Sequence, residues 1–288
     1  MTLAALSSAV TISLASTTLL LLIVKSWDAF SALAVETSQF PHSIMLDAAQ
    51  RYRDEMDGLG REQSHYLVAV VVFAIVFTIA YLLPRQTMLE DIPRWQQYLT
   101  LGLFATASLC TTYRLLQIVV AKRRVAFVRD ANIATGHSLQ QLTSNHNRVF
   151  HDVPCGTQII DNVIVGLQGV YAVSVIARKH GKDNRVRLRG SELSFAPGKE
   201  CISVSQSGDK SARLAKELGE LLQHEVRVRS VIVVPGWEIE SQTSDDYLLV
   251  NERNVSMIGG WKDQSDFLMT EDAAKIQKML VKRCSRYR

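Results

Sequence analysis

Residues Asp161–Ala177 read DNVIVGLQGVYAVSVIA. Two short apolar runs, rich in β-branched residues, flank Gly166-Leu-Gln-Gly169, which is the pattern of two strands joined by a tight turn. An acid, Asp161, opens the first strand. Side chains alternate along a strand, so Ser174 and Ile176 in the second share a face. A one-residue slip would expose Val173 and Val175 together, which pins the register.

Working outward, the period of the C-terminal half stays that of short strands. Apolar runs at Arg148–Val153, Gln158–Val165, Val170–Ala177, Arg185–Arg189 and Ile202–Val204 are each bounded by polar, Gly or Pro breaks. Helical character precedes them over Ala131–Asn145. Ser205–Leu222 reads as an amphipathic helix, with Ala212, Leu214, Leu218, Leu221 and Leu222 near one side. Val226–Val234 is a buried strand ending at Pro235-Gly236. Tyr247–Val250 and Val255–Ile258 read as small outer strands, and Glu271–Val281 as a helix ahead of the basic tail KRCSRYR. This order predicts an α/β domain with a central mixed sheet.

The N-terminal part is different. Leu3–Val24, Tyr66–Leu83 and Leu99–Val120 are apolar stretches of about the 20 residues that cross a bilayer. No Lys or Arg precedes the first, so it reads as a retained helix rather than a secretory signal. Arg114 lies near the end of the third, where its side chain can reach the headgroups. Residues 1–121 carry 7 Lys/Arg and 9 Asp/Glu, whereas residues 122–288 carry 25 and 19. Lys122, Arg123, Arg124 and Arg129 follow the third stretch directly. The positive-inside rule then places the C-terminal half in the cytoplasm and the N-terminus outside. The expected organisation is a membrane region over 1–121, with spans at about 3–24, 66–83 and 99–120, and an α/β domain over 122–288. Residues 25–65 return to the cytoplasm with Lys25, Arg51, Arg53 and Arg61. Within them Ser43–Met56 reads as a short helix, lying on the bilayer or packed on the domain. The expected location is a bacterial-type inner membrane.

Cys110, Cys155, Cys201 and Cys284 are scattered, without a C-x-x-C pair, so neither a disulfide framework nor a zinc site is indicated. His146, His151 and Asp152 form no strong metal motif.

The run HDVPCGTQIIDNVIVGLQGVYAVSVIA resembles the core of the nuclease-related domain (NERD) family, a branch of the PD-(D/E)xK nuclease-like fold. Asp161 matches that family's first acid, Gly166 and Gly169 its turn, and Val170-Tyr171 the entry to its next strand. SQSGDKSARLAKELGELL is similar to its Gln-led helix, with Gln206 at the start, and VRSVIVVPGW to the strand after it. The resemblance covers about Ala131–Gly260. It implies a site in which a Glu-x-Lys pair faces the Asp. The two carboxylates would hold Mg²⁺ through hard oxygens, and the lysine would help activate water.

Here Ser174 and Ile176 stand in the Glu and Lys places. A hydroxyl is a weak neutral ligand, so any metal would rest on Asp161 alone, and isoleucine moves no proton. Where the family's upstream helix often adds a Glu near a glycine, this chain has Gly136-His137. Three readings are open: the site is dead, it has migrated with Lys179, Glu192 or Gln206 reaching in, or the register differs. Asp161 can also simply cap a turn or pair with an arginine.

Arg178, Lys179, Lys182, Arg185, Arg187 and Arg189 form a basic stretch that could contact nucleic-acid phosphates, or could keep an exposed edge strand from pairing. The tail residues Lys275, Lys278, Lys282, Arg283, Arg286 and Arg288 could meet anionic lipid. The leading expectation is a membrane-anchored, catalytically degenerate nuclease-like domain. It would act as a binding or assembly module in a membrane machine for DNA transfer, uptake or defence, with other membrane-complex proteins as partners and no cofactor. The alternatives are a Mg²⁺-dependent endonuclease with a displaced site and a purely structural docking subunit.

Overall fold

The computed structural model describes residues 44–82, 94–143, 147–179, 181, 183–197, 201–261 and 266–286. The expected span at 3–24, together with His146 and Lys182, lies outside them. Two compact units emerge, one containing 57–122 and the other 42–56 with 123–287.

Strand β1 (Ile44–Met45) leads into α1 (Gln50–Leu82), and α2 runs over Arg94–Gln140. In the first unit Phe73 and Phe104 meet edge to face at 6.4 Å, and Lys122 Nζ donates to Gln63 at 3.2 Å. Leu67, Val71, Leu103, Leu109 and Leu116 are exposed there. Among the described residues one helical stretch, Gly102–Thr143, is long and apolar enough to cross a membrane, where three spans were expected.

The second unit follows with β2 (Arg148–Cys155), β3 (Gln158–Gly166), β4 (Gly169–Val175), β5 (Arg185–Arg189), β6 (Glu192–Phe195) and β7 (Cys201–Ser203). Then come α3 (Ser205–Leu222), β8 (Val228–Val233), β9 (Glu238–Thr243), β10 (Tyr247–Val250), α4 (Thr270–Cys284) and β11 (Ser285–Arg286). The main sheet is mixed, in the order β10-β8-β4-β3-β2. Strands β2, β3 and β4 are antiparallel, whereas β8 runs parallel to β4 and to β10.

Alternation sorts the side chains of this sheet onto two faces. Val163, Val165, Val170 and Ala172 point to a cluster with Phe150, closed by Leu214 and Leu218 of α3 and Ile276 and Leu280 of α4. Leu214, Leu218 and Leu222 recur every four residues, which puts them on one stripe of α3. Ile164, Tyr171, Val173, Val231 and Val233 point the other way, against Leu139, Val255 and Ile258. A second sheet, β7-β6-β5-β9, packs Val186, Leu188, Leu193 and Phe195 with Ile232, Val234 and Trp237.

Several expectations need correction. The region Ser43–Met56 is no separate short helix: a two-residue strand precedes α1, which starts at Gln50 and continues to Leu82. The helical character expected over Ala131–Asn145 belongs, up to Gln140, to the single 47-residue helix α2, and Gln141–Thr143 form a 3-10 helix. Val255–Gly260 is a 3-10 helix rather than a strand. One central sheet was expected, and the domain has a second, four-stranded one. Its strand β6 spans only four residues and β9 is mostly polar, so hydrophobic periodicity did not reveal them. Strand β5 is not an edge: it lies between β6 and β9.

The α3–α4 junction carries a titratable contact. His224 Nε2 lies 3.1 Å from Asp272 Oδ2, and the Glu225 carbonyl, followed by Asp272, raises the imidazole pKa above its ordinary value. A raised folded-state pKa gives stability that is complete below the unfolded value and disappears as pH rises through the folded one. The melting temperature of His224→Gln should therefore fall below that of the wild type at about pH 5.5 and match it near about pH 8.5. Equal differences at both pH values would remove the protonated pair from the account.

Candidate functional site

Three polar residues line up across the main sheet. The pairs His151↔Asn162 and Val153↔Ile160 flank Asp152 and Asp161, so these two acids lie opposite each other on β2 and β3. The β3–β4 register, Asn162↔Val173, places Ser174 opposite Asp161 on the other side. All three are buried. Asp152 has φ +48°, an uncommon backbone for a non-glycine residue.

The carboxylate of Asp161 is engaged on both oxygens. Oδ2 accepts the Val175 backbone N–H at 2.9 Å. Oδ1 accepts Nη2 of Arg51 at 3.0 Å. The arginine comes from the first turn of α1, and its guanidinium lies 4.5 Å from the centroid of the Tyr52 ring, whose hydroxyl it also contacts.

Backbone chemistry explains why α1 starts here. The first N–H groups of a helix have no partner within it, and the residue before Gln50 is Ala49, which has no side chain to cap them. Asp152 fills that role from β2: its Oδ2 accepts the Arg51 N–H at 3.0 Å. A carboxylate at a helix N-terminus is also favoured by the helix dipole. Burial, followed by the Arg51 contacts that oppose it, leaves the Asp152 pKa above its ordinary value. Burial works against the charge of Arg51, but Tyr52, Asp161 and Asp152 outweigh it and raise that pKa.

The rest of the segment is fastened independently. Ile44 and Met45 pair antiparallel with Arg286 and Ser285, and the Leu46 N–H donates to the Cys284 carbonyl at 2.9 Å. Gly136 of α2 is buried beneath it. A Cβ there would come within 2.6 Å of Ala48 Cβ and 3.6 Å of the His151 ring, so the close approach requires glycine. His137 beside it is exposed.

Ser174 and Ile176, set against the Glu and Lys places of the resemblance, make structural contacts. The Ser174 hydroxyl accepts from Ser207 at 2.9 Å, and Ser207 also lies 2.9 Å from the Ser230 hydroxyl. Each polar group in this buried trio has a partner, so the trio is satisfied without a ligand. Ile176 packs against the apolar cluster between the two sheets. Gln206 is exposed, and its neighbour Ser207 is the α3 residue that reaches Ser174.

The other candidates are held elsewhere. Lys179 Nζ lies 5.6 Å from the Phe127 ring, Arg178 stacks over Phe195 at 4.7 Å, and Glu192 faces Arg189 across β5–β6. Arg185 contacts Asp183 at 2.8 Å, and Arg187 contacts Glu240 at 2.5 Å. Two members of the basic row therefore already have carboxylate partners. In the tail, Lys275 lies 3.6 Å from Asp272 and Arg283 contacts Glu217. Cys155 and Cys284 are buried, and burial pushes both thiols up to about 11, with Glu217 adding to the effect on Cys155.

The donor set around Asp161 does not fit Mg²⁺. That ion needs several oxygen ligands in near-octahedral array, whereas here one carboxylate oxygen holds a cation already and the other an N–H. Among the described residues no group of three or more His, Cys, Asp or Glu could hold a metal ion.

Sequence reading missed the roles of Arg51 and Asp152 and the Ser207 and Ser230 partners of Ser174. Arg51 counted only toward membrane orientation, and 110 residues separate it from Asp161. The one available signal was the absence of a capping residue at the start of α1, which calls for an acid from elsewhere.

Residues 129–235 match the family described as Nuclease-related domain. The match takes in Asp161, Ser174, Ile176 and the serine trio but leaves Arg51 outside. No curated protein and no solved structure matches the chain.

Proposed function

We propose that this chain is a membrane-anchored, catalytically silent nuclease-like module that serves in the assembly of a multi-pass inner-membrane complex handling DNA. The observation that carries the reading is the Arg51–Asp161 pair at 3.0 Å. A guanidinium supplies the positive charge that a metal would otherwise bring to this carboxylate, and it repels a second cation. The groups that would complete the chemistry are committed to other work, Ser174 to a hydroxyl trio and Ile176 to an apolar cluster.

The anchoring part of the reading is supported by the apolar helical stretch Gly102–Thr143 and the exposed leucines along it. The orientation rests on the basic residues at 122–124 and 129, which favour a cytoplasmic domain. An assembly role is favoured over phosphate binding by the β5 row, because Arg185 and Arg187 must first surrender Asp183 and Glu240. The DNA context comes from the family match.

The test uses the full-length protein with supercoiled plasmid in Mg²⁺ or Mn²⁺. Nicking should stay at the level of Asp161→Ala. Cleavage by the wild type that disappears in Asp161→Ala would overturn the silent reading and restore the endonuclease with a displaced site. Recovery as a lone monomer from gently solubilised membranes would count against the assembly role.

A further inference from the structure

We infer that residues 44–53 form a latch, in which Arg51, in the first turn of α1, closes on Asp161 in the core of the nuclease-like domain. The inference deepens the proposed function, since it rests on a site that holds an arginine rather than a metal. It concerns what that arginine controls.

Three features distinguish a latch from an incidental surface contact. The first is convergence: Asp152 takes the backbone N–H of Arg51 while Asp161 takes its side chain, so one residue is gripped at two points by adjacent strands. The second is strain. Ala49, immediately before α1, is buried with φ +63°, a left-handed backbone that disfavours any residue with a Cβ. Such a conformation persists only where surrounding contacts over-determine it, and here they are the acid pair, the Gly136 notch and the β11 pairing. The third is continuity. Helix α1 is unbroken from Gln50 to Leu82, so the gripped residue belongs to the same helix as the apolar stretch beginning at Tyr66.

Opening the latch has a structural consequence that can be read. Met45 and Leu46 pack against the cluster that contains Cys284, and the Leu46 N–H bonds the Cys284 carbonyl. In the closed state Cys284 is 1% exposed. Release of Arg51 from Asp161 loosens that cover. The thiol at the end of α4 thus reports on an ion pair at the start of α1.

The experiment measures maleimide labelling of Cys284 in the full-length protein in mild detergent. Exposed Cys110 and Cys201 are replaced by serine, and the labelled peptide is identified by mass. Arg51→Ala and Asp161→Asn should each speed labelling of Cys284 at least about tenfold. The double variant should label no faster than the faster single one, because both changes remove the same contact. Arg51→Lys keeps the charge but loses the stack on Tyr52, and should label more slowly than Arg51→Ala, which separates the ion pair from general loosening of the fold. Wild-type rates in Arg51→Ala, or effects that multiply in the double variant, would overturn the latch. Either result leaves the silent reading standing, whereas metal-dependent cleavage by the wild type would remove that reading without touching the labelling data.

Discussion

Arg229→Ala is expected to destabilise the domain by about 3–5 kcal/mol, the range for breaking a buried ion pair from one side. Arg229 Nε lies 2.6 Å from Asp266 Oδ2, with the two side chains only 6% and 2% exposed. The guanidinium also stacks over Trp261 at 4.6 Å, whose carbonyl accepts the Tyr171 hydroxyl at 3.3 Å. Truncating the arginine removes the cation beside a buried carboxylate and the group stacked on the indole. The pair fastens Asp266 to β8, beside the β3–β4 turn, where Gly169 has φ +128° and a Cβ would meet the Asp266 carbonyl at 3.1 Å. The check is chemical denaturation of Arg229→Ala beside Arg229→Met/Asp266→Leu. The double variant should recover most of the loss, because an apolar pair removes the buried charge. If it is as unstable as the single variant, packing around Trp261 rather than charge is the cause.

Phe150→Ala should cost a similar amount, about 3–5 kcal/mol, through lost burial and the cavity left behind. Phe150 is fully buried in the cluster beneath α3 and α4, and the Arg148 guanidinium lies 5.5 Å from its ring centroid. Its interest is positional. Two residues along β2 is Asp152, the acid that caps α1. Loosening β2 therefore loosens the grip on Arg51, so the amides of residues 44–53 should lose protection from hydrogen exchange more than those of β8. Equal loss everywhere would mean that Phe150 supports the sheet as a whole and has no special hold on the segment.

The local architecture was legible wherever one side of an element is buried. The alternation in Asp161–Ala177 fixed which residues share a face, and the register indeed sets Ser174 opposite Asp161. Helix Ser205–Leu222 and strand Tyr247–Val250 lie where their periodicity placed them. Strand β6 escaped because two apolar residues in four make too short a run to read, and β9 because it is mostly polar. Val255–Gly260 escaped for the opposite reason, since a short apolar run fits a strand and a helical turn equally well.

The sequence by itself determined the two-part character of the chain, the strand–turn–strand at its centre, and the presence of Ser174 and Ile176 on one face of its second strand. These follow from residue type and spacing within a few positions, where covalent geometry dictates direction. Only the tertiary structure decided what became of Asp161. Its partner comes from 110 residues away, outside the family match, on a helix whose own start lacks a cap. Charge pairing over that distance depends on which surfaces the fold brings together, and on a glycine, Gly136, that lets the segment come close enough for Arg51 to reach.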